Sequence, residues 1–233
     1  MHRSLARHFR NRPSKNGGWC RRIKRSYREY LFLETGIEYP TCDPFRDGTS
    51  LPLKPSADIL DAFQRYRAKG SRPFYAEGNF EDRLLSVLDK TLYSDIPFFL
   101  PNVTDGNLRL MKAITGTLAG AAVPRLQVRS LCADWGIGAE KLYQILVVME
   151  SVGVLRIVRL ENDHKARSVG QKLLFSDPAY YSVLHGNSGT AREALVASLC
   201  ASSGWTVEAA RYRVSRQGGR SPLAAGYGVL TLF

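Results

Sequence analysis

Between Leu126 and Phe175 the chain reads LQVRSLCADWGIGAEKLYQILVVMESVGVLRIVRLENDHKARSVGQKLLF, and this succession of patterns narrows the available folds more than any other stretch. Val128, Leu131 and Cys132 recur at helical spacing, and so do Leu142, Ile145, Leu146 and Met149. Between the two sets lies WGIG, where Gly136 and Gly138 permit the backbone angles of a sharp corner between helices. LRIVRL and QKLLFSD follow as two short apolar runs, rich in β-branched residues in the first, separated by the polar ENDHKARSVG. A helix-turn-helix followed by two strands around a polar loop predicts a winged helix.

The rest of the chain adds helices before this unit and a shorter mixed piece after it. SYREYLFLETG predicts a helix opening at Ser26, with Glu29 completing a capping box, and stopping at Gly36. EYPTCDPFRDGTSLPLKPS reads as a loop. ADILDAFQRYRAKG then places Ile59, Leu60, Phe63 and Tyr66 on one helical face. NFEDRLLSVLDKTLYSDI does the same with Phe80, Leu84, Leu85, Leu88 and Leu92, and is expected to end before Pro97. A further helix from Asn107 to Gly120 carries Leu108, Met111, Ile114 and Leu118. The expected fold class is mainly α with a small β component: a helical lid-like bundle, a winged helix-turn-helix and a truncated α/β C-terminal piece. The expected divisions are a basic, disordered arm over 1–25, a helical region over 26–106 with a loop near 37–55, the winged-helix domain over 107–176, and a partial C-terminal domain over 177–233.

The formal charge of +12 on 233 residues points towards nucleic acid until its location is considered. Met1 to Tyr30 hold ten Arg or Lys and one acid, and Gly204 to Phe233 hold four arginines and one acid, which leaves the middle of the chain close to neutral. A basic arm of this kind binds phosphate by counterion release without a fold behind it, and an unstructured leader has the same composition. A mitochondrial leader shares the Arg-rich, acid-poor bias, although the arm lacks a clean apolar stripe. On the second helix of the corner, Gly138 to Gly153 contain Glu140, Lys141 and Glu150 as their charged residues, whereas recognition helices offer Arg, Lys, Asn or Gln to a groove. The candidate nucleic-acid contacts are therefore Lys141 and Gln144 on that helix, Arg125 and Arg129 before it, and Arg156, Arg159, Lys165 and Arg167 in the wing.

SYREYL, GSRPFYAEGNFEDRLLSVLDKTLYSDIP, the winged-helix stretch and FSDPAYYSVLHGNSGTAREALVASL together resemble the region downstream of the nucleotide-binding core in a family of prokaryotic AAA+ ATPases. The resemblance runs from about Ser26 to about Ala210, and its most specific pieces are LDKTLYSDIP and the run from Asp177 to Glu193. It implies a helical lid, then a winged helix, then a domain similar in fold to restriction endonucleases. None of the shared motifs is catalytic.

No GxxxxGK[ST] stretch is present to wrap phosphates, and no apolar strand ends in paired acids to hold magnesium, so no ATP hydrolysis is expected. A restriction-type nuclease requires an Asp followed by a Glu-x-Lys pair around a metal. After Asp177 there is no further Asp and after Lys172 no further Lys, so that set cannot assemble, and Glu193 reads as a salt-bridge partner rather than a ligand. Cys20, Cys42, Cys132 and Cys200 lie too far apart for a zinc site or a disulfide framework. His185 stands without a nucleophile at dyad spacing, His164 falls in the wing loop, and Tyr180-Tyr181 read as core rather than as a stacking platform. From Tyr212 the Gly- and Arg-rich tail departs from the family, leaving one expected strand at WTVEAARY with an exposed edge.

These observations predict a non-enzymatic, cytoplasmic chain with no cofactor and no membrane span. The leading reading is a non-catalytic C-terminal portion or remnant of an AAA+ ATPase whose winged helix is an interaction platform for a protein partner or an ATPase core on another chain. The alternative is a free-standing winged-helix protein that binds DNA with help from its basic arm.

Overall fold

The computed structural model describes residues 25–40, 57–99, 103–122, 128–159, 172–202, 207–211 and 227–232. Helix α1 (Tyr27–Thr35) opens as expected at Ser26, whose hydroxyl accepts the Glu29 N–H at 3.3 Å while its own N–H donates to the Glu29 carboxylate at 2.7 Å. It stops at Gly36, which returns its N–H to the Phe32 carbonyl. Helix α2 (Ala57–Arg65) runs into a π-helical turn (Tyr66–Gly70). Of the expected apolar face of α2, Tyr66 is buried and Ile59 and Phe63 are half-buried, whereas Leu60 is 57% exposed and Ala62 is buried in its stead. Ala62 packs in one cluster with Tyr30 and Leu31, beside the rings of Tyr27, Tyr30, Phe63, Tyr66 and Tyr75, whose paired centroids are 5.1–6.4 Å apart.

Helix α3 (Phe80–Lys90) buries Phe80, Leu84 and Leu88 and passes through a second π-helical turn (Thr91–Asp95) into α4 (Ile96–Phe99). The expected stop before Pro97 is therefore corrected. The π turn opens the hydrogen-bond ladder just ahead of the residue that has no N–H to donate, so the proline rides in the first turn of α4. Helix α5 (Asp105–Gly120) begins two residues earlier than its apolar spacing suggests, because Thr104 accepts the Asn107 N–H as a cap.

Helices α6 (Val128–Trp135) and α7 (Ala139–Ser151) precede strand β1 (Leu155–Val158), which pairs antiparallel with β2 (Lys172–Phe175) in the register Leu155 to Phe175 through Val158 to Lys172. Helices α8 (Ala179–Val183) and α9 (Ser188–Ser202) follow. At the turn between them the Asn187 N–H reaches the Ala119 carbonyl at 2.8 Å, and a Cβ on Gly186 would meet that same oxygen at 2.6 Å, so glycine permits this approach to the end of α5. The single strand expected near WTVEAARY is also corrected: β3 (Val207–Arg211) pairs antiparallel with β4 (Tyr227–Leu232), an irregularity falling between Ala209 and Arg211. The alternating YGVLTL run supplies the partner that the Gly- and Arg-rich composition of the tail conceals.

The described chain is mostly helical with a small antiparallel β component. One apolar core joins Leu84 and Leu92 to Met111, Leu146, Met149, Leu155, Leu174 and Ala197, and a second gathers Tyr30, Leu31, Ala62, Tyr66 and Leu195. The first core crosses the expected divisions at 106/107 and 176/177, and α9 contributes to both. Among the described residues, no helix is long and apolar enough to cross a membrane.

Two polar features hold this core together. Arg72 Nε lies 2.5 Å from Asp177 Oδ2, and both residues are buried, Asp177 completely. Asp177 Oδ1 accepts from the Ser71 hydroxyl and from the Ala179 N–H, each at 3.0 Å. Behind this group Tyr180 and Tyr181 are buried against Phe175, and burial pushes both phenols up to about 12. Replacing Asp177 by alanine leaves Arg72 buried without its counter-ion, and we expect a loss of about 3–5 kcal/mol in urea denaturation followed by circular dichroism. The tyrosines give a pH signature. Their folded pKa lies above the unfolded value near 10, so the stability they confer is complete below pH 10 and falls as pH rises towards 12. Replacing both by phenylalanine should flatten the decline in melting temperature across that window.

Candidate functional site

The corner between α6 and α7 is built from Gly136, Ile137 and Gly138. Gly136 adopts φ +58°, the left-handed region, and Ile137 donates its N–H back to Cys132 O at 3.2 Å. Gly138, in extended geometry, is the N-cap of α7, and its carbonyl accepts the Leu142 N–H. Leu142, Ile145, Leu146 and Met149 point into the core without exposure. The outward face of α7 consequently presents Glu140, Gln144, Val147 and Ser151, with Val147 54% exposed. Lys141 is half-buried on the flank of this ridge.

The candidate contacts do not converge. Gln144 is exposed on α7 and Arg129 is exposed on α6, whose Ser130 and Asp134 bond to each other at 3.1 Å. Arg156 is half-buried on β1; burial lowers its pKa, and its charged-state neighbours are Glu150 and the Cys200 thiol of α9. Arg159 is exposed but lies 3.3 Å from Glu150 Oε2. Arg125, Lys165, Arg167 and His164 lie outside the described residues.

Tyr180 and Tyr181 are core residues, the Tyr181 hydroxyl accepting the Phe175 N–H at 3.2 Å. Glu193 holds the buried Lys172 ammonium at 2.9 and 3.1 Å. His185 is exposed at φ +50° beside the α8–α9 turn. Among the described residues, no group of three His, Cys, Asp or Glu side chains is placed to hold a metal ion. Compared with protein-family profiles, curated proteins and solved structures, the chain matches none.

Glu150 is the residue that sequence reasoning passed over. Its Oε1 accepts the Ile157 N–H at 2.9 Å while its Oε2 faces Arg159, so one carboxylate binds a backbone N–H of β1 and the exposed cation just past that strand. In the sequence it is one acid among few at the end of an amphipathic helix. Seven and nine residues separate it from its partners, and the helix–strand reversal at Val152–Val154 is needed to bring them together.

The corner itself is testable. A side chain at position 136 meets no neighbouring atom, so Gly136→Ala carries the left-handed backbone cost without a clash, about 1–2 kcal/mol. A drop of several degrees in melting temperature, with the helical circular dichroism unchanged, is the expected result.

Proposed function

We propose that this chain is a non-catalytic relative of the C-terminal portion of prokaryotic AAA+ ATPases, in which α6, α7, β1 and β2 form a winged-helix module that serves as a platform for a protein partner. The observation that carries this reading is the outward ridge of α7. Glu140, Gln144, Val147 and Ser151 form a surface of one acid, one amide, one aliphatic and one hydroxyl side chain, with no base among them. Such a ridge is poorly matched to a phosphate-lined groove, which recruits Arg and Lys first. Exposed Val147 and, at the end of α6, 38%-exposed Trp135 suit contact with protein instead. The absence of a P-loop stretch from the sequence supports a role that does not use nucleotide hydrolysis by this chain.

The alternative, DNA binding through the same module, draws on exposed Arg129 and Gln144 and on the formal charge of +12. The two readings separate on one experiment with the full chain: anisotropy of a labelled DNA duplex across a salt series, for the wild type and for Lys141→Ala with Gln144→Ala. A base-reading contact contributes about 1–3 kcal/mol, so groove recognition requires a loss of roughly tenfold or more. We expect a change of less than about twofold and the same salt slope, as for attachment through the basic arm.

A further inference from the structure

The hairpin beside α7 carries two arginines that would suit a polyanion, and the fold places one carboxylate against Arg159. Arg159 follows β1 on its exposed end, 3.3 Å from Glu150 Oε2. Arg156 lies half-buried on the same strand with Glu150 among its electrostatic neighbours. The carboxylate is held there by more than charge: Oε1 accepts the Ile157 N–H at 2.9 Å, and Glu150 itself sits in the last turn of α7, between Met149, which is buried, and Ser151. An isolated surface pair between two long side chains would be mobile and weak. A carboxylate fixed by a backbone donor spends less conformational freedom in keeping its position and stays in front of Arg159.

We propose that Glu150 is an electrostatic mask, keeping Arg159, just past the end of β1, off the phosphate backbone of double-stranded nucleic acid. The inference goes beyond the platform reading and rests on it in one respect, that the wild-type hairpin does not hold phosphate. A phosphate approaching Arg159 must displace the carboxylate or sit beside it, and either event opposes the counterion release that drives such binding. Without the carboxylate, Arg159 becomes an open cation at the rim.

Glu150→Gln tests this, because the amide oxygen still accepts the Ile157 N–H while the negative charge is gone. In duplex anisotropy with the full chain we expect affinity to rise about fivefold at low salt, with the salt slope steeper by about one. Adding Arg159→Ala to Glu150→Gln should abolish the gain. Glu77→Gln removes one charge from the exposed pair with Arg83 and controls for net charge alone. Equal gains from Glu77→Gln and Glu150→Gln, or no gain in a Glu150→Gln protein that melts like the wild type, overturn the proposal. Arg159→Ala alone gives an answer that does not depend on how Glu150→Gln folds: a masked arginine contributes little, so a change under about twofold supports the mask, and a loss of fivefold or more overturns it. These outcomes are separate from those for Lys141 and Gln144. Groove reading by α7 would defeat the platform reading while leaving the response at Glu150 to be scored by itself.

Discussion

The buried pair of Arg72 and Asp177 governs how the remaining parts of this fold meet. Two opposite charges removed from water must be held in close geometry with their other polar atoms satisfied, or burial costs more than their attraction returns. Here the carboxylate receives Arg72 Nε, the Ser71 hydroxyl and the Ala179 N–H, and the guanidinium lies over the Tyr180 ring. Arg72 comes from the turn between α2 and α3, whereas Asp177 comes two residues after β2 and opens the way into α8. Residues 105 positions apart are thereby locked together. Since Asp177 follows β2 directly, the pair also settles where the β1–β2 hairpin lies relative to the helices.

That placement has consequences for the surface. Lys172, at the start of β2, is buried and bound to Glu193 of α9, so one basic residue of the hairpin faces inward. Arg156 is half-buried on β1, and Arg159 meets Glu150. Lys172 and Arg159 therefore each have a carboxylate partner within the chain. Among the described residues, the outward ridge of α7 carries no Arg or Lys, in a unit whose order of helices and strands suggests DNA binding, while Arg129 of α6 is exposed. This is the physical content of the platform reading, and it shows why an architectural pattern says less about activity than the disposition of its side chains.

The local pattern of the chain was legible wherever a short-range rule applied. Ser26 with Glu29, the stop at Gly36, the corner at Gly136 and the apolar rows of α3, α5 and α7 all rest on interactions within a few residues. One position of the α2 face was misread: Leu60 looks more apolar than Ala62, yet Ala62 is the one buried, beside five aromatic rings gathered from three segments. The continuation through Pro97 was hidden because a π turn leaves little trace in hydrophobic periodicity. The tail strand β4 was obscured by composition, since its partner lies many positions upstream.

The candidate site divides along the same line. Helix, corner, helix and two strands could be placed from periodicity and glycine positions, because backbone conformation and amphipathic spacing are properties of neighbouring residues. Whether each basic side chain points to solvent, to the core or to an acid could not, because the answers depend on Glu150 and Glu193 and on the reversals that carry them there. The amino-acid sequence by itself determined the order of elements and where most of the helices begin. Only the tertiary structure decided which charges remain on the surface, because Coulomb and desolvation energies depend on distance and burial in space, and spacing along the chain specifies neither.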